Sequence, residues 1–486
     1  MRLRRLLTTL EDVQVFNFVD RNIDEVTSDS RKAAGGSVFV AIRGAVADGH
    51  DFIEEAIERG AQVVVAQEKV NVPNDICLIT APNTRHVLAV MADILAGHPS
   101  SKVRVVGVTG TNGKTTVTYL LRSVLQVAGK STGLIGTINY EFAGRVVPAG
   151  TTTPAADELH RYLAEMAAEG AEYAVIEVSS HALDQYRVDA VNFACAVFTN
   201  ISHEHLDYHM TFDSYLNAKG KLFRYLPRES VGIFNADDQH AATLAQRTKA
   251  RRVWYGMQSE DVDFSGELQS SGLDGSSITL VTPAGAVDIH TALIGVHNVY
   301  NILAAAAAAM SLGVGLEETA AGLQAIEGVP GRLERVREAT GFAAFVDYAH
   351  TDEGLRNVLM TLKPLTEGRL IVVFGCGGDR DRAKRPRMGA VAQEFADAVV
   401  VTSDNPRGED PRAIIDEITA GMRQDENLYV EPNRARAIEA ACRLARPGDV
   451  LLVAGKGHET YQKFKDTVIP FDDREIIRGV VGDRRK

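Results

Sequence analysis

Short apolar runs alternate with segments of helical periodicity along most of the chain. VRVVGV, YAVIEV, ACAVFT, VGIFN, AAFVDY, LIVVFG, DAVVV and DVLLVAG have the length and composition of buried strands. Strands alternating with helices predict an α/β protein built on parallel sheets. Nearly every run stops in polar or glycine-rich residues: TGTNGKTT, SSH, NISHEHLDYH, ADD, AH, CGGDRDR, TSDNPR and KGHE. Open parallel sheets bind ligands at the carboxyl ends of their strands, so these segments are where chemistry is expected. The run ILAAAAAAMSLGVGL is too short to span a bilayer comfortably and predicts an alanine-rich buried helix. Two breaks, HPSSK at 98–102 and GVPGR at 328–332, divide the chain into 1–98, 99–330 and 331–486.

Composition supports that division. With 486 residues, 45% of them hydrophobic, the chain is too long for one core and suits about three domains. A net charge of −12 argues against a nucleic-acid partner but leaves room for a local basic pocket. Cys77, Cys195, Cys376 and Cys442 are widely scattered, form no C-x-x-C pair that suggests zinc, and suit a reducing cytosol. The basic start MRLRRLLTTLEDV is interrupted by Glu11 and Asp12 before an apolar core forms, so no signal peptide is expected. The expectation is a cytoplasmic protein with no membrane insertion.

The sharpest local signal is GVTGTNGKTT, 107–116, between a strand and a helix whose Val117, Leu120, Leu121, Val124, Leu125 and Ala128 fall at helical spacing. Backbone N–H groups of Gly110, Thr111, Asn112 and Gly113 can surround phosphates at the helix start. Lys114 reaches the outer phosphates, Thr115 ligates Mg²⁺, and Thr116 completes the motif. Val108 stands where the commoner form has its first glycine, and Gly110 supplies the turn. The motif predicts ATP binding and leaves the reaction open.

The variant T-G-T-N-G-K-T resembles the loop of the Mur ligases and their folylpolyglutamate synthetase relatives, and the resemblance continues along almost the whole chain. DSR, FVAIRG, DGHDFI and GA within 29–61 resemble the N-terminal domain of the Mur ligases that accept a muramoyl dipeptide nucleotide. TTTP, EVSSHAL, TNISHEHLDYH, NAKGKLF, NADD and GVHNVYN resemble the central domain. GVPGRLE, VDYAHT, FGCGGDRD, DNPR and AGKGHE resemble the C-terminal domain. Within the family, the pattern is most similar to the members that add diaminopimelate. The resemblance implies a small α/β N-terminal domain for the UDP substrate, a central P-loop ATPase domain with a parallel sheet, and a Rossmann-like C-terminal domain for the amino acid. It also implies a monomer that uses ATP to join meso-diaminopimelate to UDP-N-acetylmuramoyl-L-alanyl-D-glutamate, the third-residue step of the peptidoglycan stem peptide.

Joining a carboxylate to an amine requires a leaving group better than oxide, and the γ-phosphoryl of ATP provides one as an acyl phosphate. Catalysis then rests on positioning two anions and neutralising their charge. Lys114 and Mg²⁺ begin that task. Glu177, at the end of YAVIE, is either a solvated strand-end acid or, with Thr115 and His205 at neighbouring strand ends, a metal ligand. The resemblance makes His205 metal-binding, whereas His203 and His209 read as loop histidines. Lys219 by itself reads as a solvated helix residue. The resemblance implies that it takes up CO₂, becoming a carbamate (N6-carboxylysine) that offers anionic oxygens to a second Mg²⁺.

The remaining site residues also follow from the resemblance. Asn298 is implied as the adenine contact, although an N-cap is equally compatible, and Arg332 and Asp347 as contacts to phosphate and ribose. Thr152, Thr153, Ser179, Gln185 and Arg187 fall on the muramoyl-dipeptide contacts, and Ser28 and Ser30 on those of the uridine end. Ser179 and Ser180 also read as a helix N-cap pair and Arg187 as an exposed arginine. Arg380, Asp404, Asn405, Arg407, Gly455 and Glu459 fall on the diaminopimelate contacts. Arg407 follows a rigid proline in TSDNPRGED and suits a distal carboxylate held through two parallel hydrogen bonds, with Asp404 and Asn405 placed for the distal amine. Three alternatives stay open: an L-lysine-adding ligase, a folylpolyglutamate synthetase, which the DSR region argues against, and a P-loop kinase or nucleotide switch. The last has no need for TTTP, HEHLD, DNPR and GKGHE.

Overall fold

Every apolar run read above as a strand forms one. The computed structural model describes residues 1–44, 47–339 and 341–483, and three main sheets organise them. The first sheet holds β1 (Gln14–Phe16), β2 (Glu25–Thr27), β3 (Ser37–Val40), β4 (Val63–Ala66) and β5 (Cys77–Thr80) in the order β1-β5-β4-β3-β2, parallel except for β1. The second contains β6 (Arg104–Thr109), β7 (Thr132–Ile135), β8 (Asn139–Phe142), β9 (Arg145–Pro148), β10 (Tyr173–Glu177), β11 (Phe193–Phe198), β12 (Val231–Asn235) and β13 (Arg251–Gly256). Their order is β13-β12-β11-β6-β10-β7-β8-β9, parallel from β13 to β7 and antiparallel at β8 and β9. β6 therefore lies between β10 and β11, and its loop emerges beside the ends of both.

Both sheets belong to one compact unit, Met1–Ser265 with Val281–Gly285 and Tyr300–Gly322. Between them HPSSK forms a short 3-10 turn at Pro99–Ser101, and each sheet has its own apolar core. All residues of β3, β4, β10 and β12 are buried, which is why they read as unbroken apolar runs. The helix Lys114–Val127 buries Val117, Leu120, Leu121, Val124 and Leu125 on the face its periodicity predicted. Ala304 to Ala309 are fully buried within the helix Val296–Ser311, so the alanine run is a core segment. Among the described residues no helix is long and apolar enough to cross a membrane.

The second unit is Gly266–Leu280, Ala286–Val299 and Leu323–Lys486. Most of its β14 (Phe264–Gly272), β15 (Gly275–Thr282) and β16 (Gly285–Thr291) lie side by side. β15 alternates buried with half-exposed positions, a pattern that a search for continuous apolar runs passes over. The third sheet consists of β17 (Glu334–Arg335), β18 (Ala343–Asp347), β19 (Leu370–Phe374), β20 (Ala398–Val401), β21 (Leu428–Val430) and β22 (Val450–Ala454). It runs β17-β18-β22-β19-β20-β21, with only β17 antiparallel.

A fully buried ion pair lies under the carboxyl ends of β20 and β22. Arg434 Nε and Nη2 donate to Asp473 Oδ1 and Oδ2, each at 2.7 Å, and both side chains are 0% exposed. The same guanidinium donates to Ala454 O at 3.0 Å and Ser403 O at 3.4 Å, so it ties together two strand ends. Removing one partner of such a pair strands a buried charge. Arg434→Met is expected to lose about 3–5 kcal/mol of stability in urea unfolding, and Arg434→Met with Asp473→Leu to recover most of it. A double variant as unstable as the single one would contradict that account.

Candidate active site

The loop after β6 is held open by contacts that only glycine permits. Gly110 has φ +155°, and a Cβ there would lie 1.8 Å from Thr199 Oγ1; Gly113 has φ +86°, and a Cβ would lie 2.3 Å from Asn301 Oδ1. The far wall comes from the end of β11. Thr199 Oγ1 donates to Asn112 O at 2.6 Å, Asn112 N to Asn200 Oδ1 at 2.9 Å, and Thr111 N to Asn200 O at 2.8 Å. Lys114 Nζ folds back onto Gly110 O at 2.9 Å and Thr111 O at 2.8 Å. Thr116 is buried in the first helical turn. Of the four amides expected to face phosphates, Thr111 N and Asn112 N are engaged by Asn200, and the loop leads into a helix start, a position that suits an anion.

Glu177, the last residue of β10, is fully buried rather than solvated. Thr115 Oγ1 donates to its Oε2 at 3.1 Å, Thr137 N to Oε1 at 2.9 Å and Thr137 Oγ1 to Oε2 at 2.9 Å. Thr152 Oγ1 lies 3.2 Å from Thr137 Oγ1. Thr153 Oγ1 donates to Glu177 O at 2.7 Å and accepts from Ser179 N at 3.1 Å. Arg187 donates to Thr153 O at 2.7 Å and, through Nη2, to Gln185 Oε1 at 2.8 Å, so it is tied into the cluster rather than projecting freely. Ser179 does act as an N-cap, accepting from Ala182 N at 3.1 Å. The structure thus brings Thr115, Glu177, Thr152, Thr153, Ser179, Gln185 and Arg187 into one hydrogen-bonded cluster. Thr137, which sequence reasoning missed, is at its centre; its only signal is a threonine two residues past a strand end.

Lys219 is likewise buried, at 1% exposure, against the general expectation for a helix lysine. Its Nζ donates to Gly110 O at 2.7 Å and lies 4.5 Å from the Tyr215 ring centre, and Tyr215 Oη is 2.9 Å from Thr111 Oγ1. Burial, and after it the Lys114 charge, pushes the Lys219 ammonium well below its usual range. His205 has φ +57°, and its ring packs edge-on to His181 and to Tyr215. Burial lowers the His205 imidazole below its usual value and, together with His205 and His209, takes His181 down to about 4. His209 Nε2 lies 3.0 Å from Ser180 Oγ, and His203 stacks on Phe212. Just past β2, in the short 3-10 turn Ser30–Lys32, Ser30 Oγ donates to Glu55 Oε2 at 2.7 Å, and Ser28 is half-buried nearby in sequence.

Thr115 and Glu177 supply a hydroxyl and a carboxylate oxygen of the kind Mg²⁺ takes. Hydroxyl and carboxylate oxygens already converge at 3.1 Å, and a hard cation takes one or two protein carboxylates with the remaining oxygens from phosphate and water. Among the described residues no three His, Cys, Asp or Glu side chains gather as an all-protein metal cage.

In the second unit, the strand ends of the third sheet form another polar cluster. Arg407 has φ +50°; its Nη1 donates to Gly378 O at 2.7 Å and its backbone N to Lys463 O at 3.1 Å. Asn405 Nδ2 donates to Glu459 Oε2 at 2.8 Å. Gly455 has φ +112°, and a Cβ there would meet Asp404 Oδ2 at 2.8 Å. Asp404, Asn405, Arg407, Gly455 and Glu459 are therefore neighbours, whereas Arg380 is exposed on the loop after β19. Asp347, at the end of β18, accepts from Leu333 N at 2.6 Å and Ala349 N at 2.7 Å; burial raises its carboxyl above the usual range, opposed by Arg332. Arg332 itself lies over the Tyr348 ring. Asn298 is inside its helix, and its amide donates back to Ile294 O at 2.8 Å, so it is not the N-cap.

A glycine-lined phosphate loop beside a buried strand-end carboxylate defines a nucleotide-using α/β protein of the P-loop class. Three family profiles match the chain: "Mur ligase family, catalytic domain" over residues 22–103, "Mur ligase middle domain" over 108–309 and "Mur ligase, glutamate ligase domain" over 331–457. The chain belongs to the Mur ligase family. A relative from Geobacillus kaustophilus, named UDP-N-acetylmuramoyl-L-alanyl-D-glutamate--2,6-diaminopimelate ligase, is 43% identical over 100% of both chains. A relative of the same name from Geobacter metallireducens is 42% identical over 98% of each. A solved structure with that name matches with a TM-score of 0.70 at 31% identity over 96% of each chain. Folylpolyglutamate synthase from Mycobacterium tuberculosis, complexed with ADP, shares the fold at 22% identity and a TM-score of 0.63, over 77% of this chain and 92% of that one.

Proposed function

We propose that this chain is an ATP-dependent amide ligase that adds meso-diaminopimelate to UDP-N-acetylmuramoyl-L-alanyl-D-glutamate in peptidoglycan precursor synthesis. The observation that carries this reading is the cluster around Arg407, where a guanidinium fixed on a proline-braced turn stands among Asp404, Asn405 and Glu459. A substrate end bearing both a carboxylate and an ammonium matches that mixture of charges. The full-length identity to relatives named for diaminopimelate supports the same substrate. An L-lysine acceptor would leave Arg407 without a carboxylate, and a folylpolyglutamate synthetase would have no use for the first sheet with Ser28 and Ser30. The proposed division of labour is 1–98 for the UDP end, 99–330 for ATP and 331–486 for the amino acid.

The substrate carboxylate attacks the γ-phosphorus of ATP, and ADP leaves. The amine then attacks the acyl carbon, phosphate departs with the former carboxylate oxygen, and the nitrogen loses a proton. Gly110 to Thr116 bind the phosphates, and Lys114 leaves Gly110 O and Thr111 O to reach the outer ones. Thr115, Glu177, His205 and the carbamate of Lys219 would hold Mg²⁺, which when bound neutralises phosphate charge. Asn298, Arg332 and Asp347 serve the adenine, phosphate and ribose. Thr152, Thr153, Ser179, Gln185 and Arg187 hold the muramoyl dipeptide. The Lys219 carbamate forms when its neutral amine attacks CO₂ and loses a proton. Its buried place against Gly110 O keeps the amine from bulk water.

Arg407→Ala is expected to lower kcat/KM for meso-diaminopimelate about 10- to 100-fold while the KM for ATP stays within about twofold. A matching loss of ATP affinity would return DNPR to the status of a structural turn. For Lys219, ¹³C NMR of active enzyme in labelled bicarbonate should show a carbamate resonance, and the rate should fall when CO₂ is stripped. No resonance together with a CO₂-independent rate would refute the modification.

A further inference from the structure

Lys456, between Gly455 and Gly457, has a side chain that is 0% exposed. Its Nζ donates to Glu459 Oε2 at 2.7 Å and to Asn405 Oδ1 at 3.2 Å. Asn405 Oδ1 also accepts from Lys463 N at 2.8 Å, so both of its lone pairs are engaged. The amide can then face only one way, with Nδ2 donating to Glu459 Oε2 at 2.8 Å. Glu459 Oε2 consequently takes two donors, while Oε1 accepts from none of the described residues. Asp404 repeats the arrangement: Oδ1 accepts from Asn405 N at 2.6 Å, and Oδ2, facing Gly455, accepts from none of the described residues.

We propose that Lys456 is a positioning residue that prepares Glu459 Oε1 and Asp404 Oδ2 to receive an ammonium group at the far end of the amino-acid substrate. The inference rests on the amino-acid pocket proposed above. The charge balance carries it. Asp404 and Glu459 bring two negative charges and Lys456 one positive charge, so a single substrate ammonium completes the neutralisation, while Arg407 answers the substrate's far carboxylate. Without the Lys456 ammonium, Lys463 N still holds Asn405 Oδ1, but Glu459 Oε2 loses its charged donor, and two under-compensated carboxylates compete for solvent cations or a proton. The lysine does not touch the substrate in this scheme. It acts through the two side chains it orients.

The test compares two acceptors, meso-diaminopimelate and 2-aminopimelate, which keeps both carboxylates and lacks the far amine. The wild-type enzyme should prefer diaminopimelate in kcat/KM by about tenfold or more. Lys456→Met should bring that preference close to one by raising KM for diaminopimelate alone, with KM for ATP and the muramoyl dipeptide nucleotide unchanged. Lys456→Gln, which keeps a donor but no charge, should fall between; if the Met variant does not fold, the same ratio in the Gln variant decides. An equal loss on both acceptors would make Lys456 a structural brace and overturn the proposal. A wild-type enzyme indifferent to the far amine would instead sink the pocket reading, and the role of Lys456 with it.

Discussion

One backbone carbonyl organises the nucleotide end of this molecule. Gly110 O accepts from Lys114 Nζ at 2.9 Å and from Lys219 Nζ at 2.7 Å, so two lysine amines converge on a single oxygen. Two ammonium groups so placed repel one another, and burial worsens the cost for Lys219. The conflict is relieved when one amine loses its charge or when an anion arrives between them. The carbonyl can face both amines only because Gly110 adopts its positive φ against Thr199. The register that pairs β6 with β11 sets Thr199 there. The chain from sheet register to loop conformation to charge is continuous.

The parts legible in the sequence were those whose cause is local. The phosphate loop, the strand ends and the buried alanine helix each rest on residues within about one element of each other. Lys219 was not legible on physical grounds, because what buries it is Gly110, 109 positions away, and the ring of Tyr215 one turn earlier. Glu177 was ambiguous for the same reason: Thr115 and Thr137, which hold it, arrive from the helix Lys114–Val127 and from just past the end of β7. Asn298 shows the opposite failure. A local rule allowed an N-cap, yet the helix begins two residues earlier and the amide turns back to Ile294.

The strand-end cluster of the third sheet is likewise fixed by its own hydrogen bonds. The DNPR turn is tied to the strand at Tyr461–Lys463 by Asn405 Oδ1, by Arg407 N and by Gln462 Nε2, which donates to Asp404 O at 2.6 Å. Beneath it, Arg434 and Asp473 neutralise one another while bracing Ser403 and Ala454. Side chains held in this way are ordered before any ligand arrives, which lowers the entropy cost of recognition. The proline supplies a fixed φ, and Gly455 leaves room for Asp404.

The central claim is that these two strand-end clusters serve one ligation, in which ATP cleavage is tied to amide formation. Phosphate release measured with ATP and Mg²⁺ tests it most directly. The account predicts sustained release only when the UDP-muramoyl dipeptide and diaminopimelate are both present, with one phosphate for each amide formed. Sustained release in the absence of the amino acid would contradict it and favour a nucleotide switch.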